Sequence, residues 1–200
     1  IAEIVNILDK IDLEANVRDS KKSSITQQIQ NTLSLQPQLM PLKSKGILIS
    51  GSGIEVLPHG SVKILIEDRK KEGIIDGGHN TLAIGKFILD CSLIKAGETY
   101  RSKAMIWRDF RKEFEKYHDL IVSYIASVDG KRQLATLVSV EILAPKSSNT
   151  DDIKAFNYIL TSIQSARNNN AQVKLPALMN KEGKFDKLKL VLPEELNDNV

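Results

Sequence analysis

The sequence predicts a mixed α/β (α+β) fold, a small sheet with helices followed by a helix-rich second half, and three observations carry that prediction. Apolar residues recur at helical spacing in separate stretches along the chain. Short Ile, Leu and Val runs broken by glycine cluster between Gly46 and Asp76. A single further run of strand type stands at Leu134 to Ala144.

Taken in order, Ile1, Ile4, Ile7, Leu8 and Ile11 mark a short amphipathic helix from Ile1 to about Asp12. Ser24 is the expected N-cap of a second helix, whose stripe is Ile25, Ile29 and Leu33 and which stops before Pro37. GILIS, GIEVL and SVKILIED then read as three strands of a meander, with turns at Ser52-Gly53 and Pro58-His59-Gly60, and GIID as a fourth. A buried helix follows at once over Asn80 to Asp90. Ile106, Phe110, Phe114, Tyr117, Ile121 and Tyr124 predict one long helix between Ser102 and Ser127, Asp129-Gly130 a turn, and LATLVSVEILA a strand. The last expected helix runs from about Thr150 to Ala166 and ends at Asn168-Asn169-Asn170, ahead of a tail with a short amphipathic piece, Phe185 to Leu192. The expected division is 1–100, carrying the loop at 73–83, and 101–200, with the strand at 134–144, packed together as one unit.

Composition excludes several classes. A chain of 200 residues with 42% hydrophobic and 26% charged residues can bury a core, and its net charge of +3 is too small for a dense nucleic-acid-binding stripe. The one cysteine, Cys91, excludes an internal disulfide framework and a multi-cysteine zinc site and fits a reducing interior. No apolar run approaches the roughly 18 residues of a membrane helix, so the expectation is a cytoplasmic protein with no membrane partner. Position 1 is Ile rather than Met, from which the expectation is a piece of a longer protein.

The strongest local signal is Gly73 to Ala83, GIIDGGHNTLA. A strand that ends in two glycines and opens a helix presents backbone N–H groups at the positive end of that helix, where a phosphate or carboxylate is stabilised. Gly77, Gly78, His79, Asn80 and Thr81 are the candidate phosphate- or nucleotide-binding residues. His79 is also a candidate to transfer a proton, and Asp76 to act as base, to orient His79 or to hold a metal. The plainer reading is a tight turn with Asp76 or Asn80 as a helix cap. Arg167 with Asn168, Asn169 and Asn170 offers donors and acceptors to a base edge, or else simply ends a helix. Trp107 with Tyr100 and Arg101 reads as a stacking patch or, better, as helix packing. His59 and His118 read as exposed, and Cys91 as a buried structural thiol.

The segment IIDGGHNTLAI resembles the strand–DG(Q/G)H–helix motif of the DGQHR and ParB/sulfiredoxin-like superfamily, and more closely its counterpart in the AIPR (abortive infection phage resistance) family. Asn16-Val17-Arg18-Asp19 before a helix, Lys45 to Ile49, Val140 to Leu143 and Ala166 to Val173 resemble further segments of that family. The sequence departs at three points. Asn80 stands where an Arg is usual, Gly78 stands where sulfiredoxin-like sites carry Cys, and Ser44-Lys45 replaces an asparagine pair. The resemblance implies antiphage defence by abortive infection and a ParB-like core over 1–100. It also implies that Arg18 approaches the phosphate loop, where a guanidinium grips two oxygens at once. Lys21 and Lys22 extend that basic edge.

Three classes of function stay open. One is phosphoryl or phosphodiester chemistry as a metal-assisted nuclease or nucleotide hydrolase, with a nucleoside triphosphate and Mg2+ as cofactor candidates. Another is nucleotide or nucleic-acid binding without turnover. In the last the loop is a structural turn and the helices assemble a homo-oligomer or a larger defence complex.

Overall fold

The computed structural model describes residues 1–11, 13, 15, 20–99 and 102–169, the side chains of Asn168 and Asn169 excepted. Arg18, Asn170, Tyr100, Arg101 and the tail from 171 onward lie outside the described residues. The helices are α1 (Ile4–Lys10), α2 (Ser24–Leu35), α3 (Met40–Lys43), α4 (Gly78–Lys95), α5 (Trp107–Lys116), α6 (His118–Ala126), α7 (Val128–Gln133) and α8 (Thr150–Asn169). The strands are β1 (Ile47–Ser50), β2 (Gly53–Val56), β3 (Val62–Leu65), β4 (Gly73–Asp76) and β5 (Val140–Leu143).

The main sheet has the order β4-β1-β5, with β1 antiparallel to β4 and parallel to β5. All four residues of β1 are buried, as an unbroken apolar run requires when both faces of a strand are covered. Ile47, Ile49 and Ile74 join the core of α1 and α4, while Leu48 and Ile75 pack with Leu160, Phe156 and Ile163 of α8. The sheet is thus a layer between helices.

The expected meander of the first three strands does not form. β2 and β3 pair only with each other in a largely exposed hairpin, where Glu55 faces Lys63 at 2.9 Å. β1 is instead flanked by β4, which leads into α4, and by β5, which precedes α8, whose Leu160 packs with Leu48 of β1 and Ile75 of β4.

The long helix expected between Ser102 and Ser127 breaks at Tyr117 (φ −108°, ψ 16°) into α5 and α6. Asp129-Gly130 is not a free turn but part of α7, whose N-cap Ser127 accepts from the Gly130 N–H at 3.0 Å. The expected eleven-residue strand shrinks to β5, because Leu134 is spent as the buried C-cap of α7. The N-cap of α2 is Ser23 rather than Ser24. Its side chain accepts from Thr26 N–H while Thr26 Oγ1 accepts from Ser23 N–H, a reciprocal capping box. Trp107 is buried, its ring 5.4 Å from that of Phe110, so it serves packing. Cys91 is buried in α4. Among the described residues no helix is long and apolar enough to cross a membrane.

Lys86 of α4 is only 3% exposed. Its ammonium donates to the carbonyls of Ser102 at 3.3 Å and Ala104 at 2.5 Å, tying the segment before α5 to α4. Burial lowers its pKa below the ordinary 10.5, against the smaller opposing pull of Asp90. Between the lowered value and 10.5 the unfolded chain binds more protons than the folded one, so this group's contribution to stability rises with pH across that window. Unfolding measured from neutral pH towards 10.5 is expected to show wild type gaining on Lys86→Met as pH rises; parallel profiles would contradict it.

Candidate functional site

The chain leaves β4 through Asp76 and turns into α4 at Gly77, which has φ +86° and precedes the first helical rung, Thr81 N–H to Gly77 C=O at 2.9 Å. The amides of Gly78, His79 and Asn80 therefore come before the ladder begins, at the positive end of an 18-residue helix. Neither Asp76 nor Asn80 caps that helix. Asp76 Oδ1 accepts from the Gly77 N–H at 2.7 Å, and Asn80 Nδ2 donates to the Gly46 carbonyl at 2.7 Å, clamping the turn to the entry of β1. Thr81 is fully buried and its hydroxyl donates back to Gly77 C=O, so it faces the fold and not a ligand.

This turn forms one wall of a cavity of about 870 Å³. Asp76, Gly77, Gly78, His79 and Asn80 line it. α2 and the segment Lys43 to Gly46 form the walls facing them, and Arg167 reaches in from α8. Three basic side chains, Lys43, Lys45 and Arg167, line the cavity against one carboxylate, Asp76. The Arg167 guanidinium lies 3.5 Å from Asp76 Oδ2 and 2.7 Å from Glu141 Oε2. It thereby offsets the negative charge that would otherwise repel an anion from the turn. The structure thus brings Arg167 to the DGGHN turn from 91 residues away. His59 sits at an exposed turn with φ +62°, and His118 pairs with Asp9 at 3.2 Å. Neither lines the cavity.

Sequence reasoning missed Ser20. The residue is 1% exposed, its Oγ has no hydrogen-bond partner among the described residues, and it lines the same cavity. A buried hydroxyl without a partner is costly. Lys43 and Lys45 were also missed as site residues, although the Ser44-Lys45 departure marked the segment. Lys21 and Lys22 lie along the neighbouring strand-like pairing with Met105 and Ile106 and do not line the cavity.

Residues 13–89 match the AIPR protein family model. Of the described residues lining the cavity, Arg167 alone falls outside the matched segment. No curated protein and no solved structure matches the chain.

The fit to Mg2+ is poor. Asp76 is the one carboxylate among the described lining residues and is already paired with a guanidinium. Among the described residues no group of three or more His, Cys, Asp or Glu is placed to hold a metal. Mg2+ is commonly held by one or two carboxylates together with substrate phosphates; here the one carboxylate among the described lining residues faces the Arg167 guanidinium, and no step through a metal follows from this donor set.

Proposed function

We propose that the cavity binds the phosphate of a nucleotide or nucleic acid and serves an antiphage-defence protein as a recognition site without turnover. The observation that carries this reading is Ser20, a residue of the cavity that receives the N-terminus of α4, whose buried Oγ has no hydrogen-bond partner among the described residues. The basic side chains Lys43, Lys45 and Arg167 support the same polarity of ligand, and His79 adds a ring on the same wall. A phosphate here takes bonds from the first amides of α4 and from the Ser20 hydroxyl, with Arg167 turning from Asp76 to the ligand.

Charge-assisted bonds are worth about 1.5–3 kcal/mol each, so Arg167→Ala is expected to weaken nucleoside triphosphate binding by roughly tenfold to a hundredfold. Ser20→Ala and His79→Ala are expected to weaken it less, and omission of Mg2+ to leave binding in place. Isothermal titration of the folded variants checks this. Affinities equal to wild type in all three variants would remove the site assignment, and Mg2+-dependent product formation would replace binding by turnover.

A further inference from the structure

The cavity has a second wall of different chemistry, which the phosphate reading does not use. α2 presents Ile25, Gln28, Asn31, Leu35 and the following Gln36 to it, residues spaced so that they share one side of the helix. Ile25 is 55% exposed and Leu35 78%, so both offer apolar surface at this wall. Between them stand carboxamides, which carry both donors and acceptors. Two of them are held in place. Asn31 Oδ1 accepts from Gln27 at 3.2 Å and Gln36 Oε1 accepts from Lys43 at 2.9 Å, leaving their NH2 groups as donors.

We infer that the α2 wall is a base-recognition subsite and that the ligand is a mononucleoside phosphate, its base against Gln28, Asn31 and Gln36 and its phosphates at the Gly77–Asn80 turn. This rests on the phosphate reading above and adds the organic part of the ligand. A nucleobase has a polar edge and two apolar faces, which amides flanked by aliphatic side chains complement. A sugar alone has no such flat face. The volume of about 870 Å³ lies within the range of small-molecule sites, roughly 300–1,000 Å³. Proteins that bind single strands without sequence preference stack successive bases on aromatic rings. No Phe, Tyr or Trp is present among the described lining residues, which favours a single nucleotide over a strand.

The test is titration of the whole chain with inorganic tripolyphosphate, the four ribonucleoside 5′-triphosphates and a twelve-nucleotide single strand. At least one triphosphate is expected to bind tenfold or more tighter than tripolyphosphate. In Gln28→Ala/Asn31→Ala, both exposed on α2 and so removable without unfolding, that advantage is expected to vanish. Ser34→Ala, on α2 but away from the cavity, keeps it. Tripolyphosphate binding as tightly as every nucleotide would overturn the base subsite while leaving the phosphate site standing. The oligonucleotide binding tighter than any mononucleotide would overturn it in favour of a strand. Absence of binding by tripolyphosphate and nucleotides alike would overturn both readings.

Discussion

Gly77→Ala is expected to lower stability by about 2–5 kcal/mol, combining the cost of a left-handed conformation with that of overpacking. The φ of +86° already disfavours any side chain, and a Cβ there would lie 2.5 Å from the Gly46 carbonyl oxygen and 2.9 Å from Ile47 Cα. Both neighbours are backbone at the entry of β1, the central strand, so neither yields without moving the sheet. Gly60 supplies the control. It has φ +76° with nothing within 4 Å of the added Cβ, so Gly60→Ala isolates the conformational strain, about 1–2 kcal/mol. Urea unfolding of the two variants separates the terms, and equal losses would show that the approach of Gly46 does not matter. A total stability of about 5–15 kcal/mol is typical of domains, so the Gly77 loss is severe. The same glycine that the sequence marks for close approach to a ligand is thus required for close approach to the chain's own backbone. The turn is held in shape before any ligand arrives.

Elements whose signal is local were legible. The stripe of α2, the buried run of α4, the apolar β1 and the strand-to-helix switch at Asp76 to Asn80 all follow from neighbours in sequence. The partners of β1 were not, because pairing with β4 and β5 is decided by segments distant in sequence, as where α8 brings Leu160 against Leu48 and Ile75. The break at Tyr117 was hidden because apolar spacing continues through it from Phe114 to Ile121. The site divides the same way. Its glycine turn was readable. Ser20, Lys43 and the α2 amides carry no local mark, since they gain meaning only where separate segments converge, and the Ser44-Lys45 departure marks Lys45 without giving it a role. Arg167 stands in the sequence as a base-contact candidate, and the structure places its guanidinium beside the turn from α8.

Phe110→Ala is expected to cost about 3–5 kcal/mol, the range for deleting a large aromatic side chain from a closed core. Phe110 is 0% exposed, between Trp107 at 5.4 Å and Phe114 at 5.7 Å ring to ring. Its ring also lies over Gly85 of α4, where an added Cβ would come within 2.4 Å of Phe110 Cζ and 3.3 Å of Leu8 Cδ1. Gly85→Ala alone is therefore expected to destabilise by about 1–3 kcal/mol through overpacking, although alanine is the better helix former by about 1 kcal/mol. In the Phe110→Ala background the obstacle is gone, the helix preference returns, and the new methyl group fills part of the cavity. Gly85→Ala should then be neutral or stabilising, giving a coupling of about 1–3 kcal/mol in a double-mutant cycle. Additive losses in denaturant unfolding would mean that Phe110 does not seat on Gly85. A large coupling would show that the absent side chain at position 85 lets α5 close on α4, the helix that opens at the DGGHN turn.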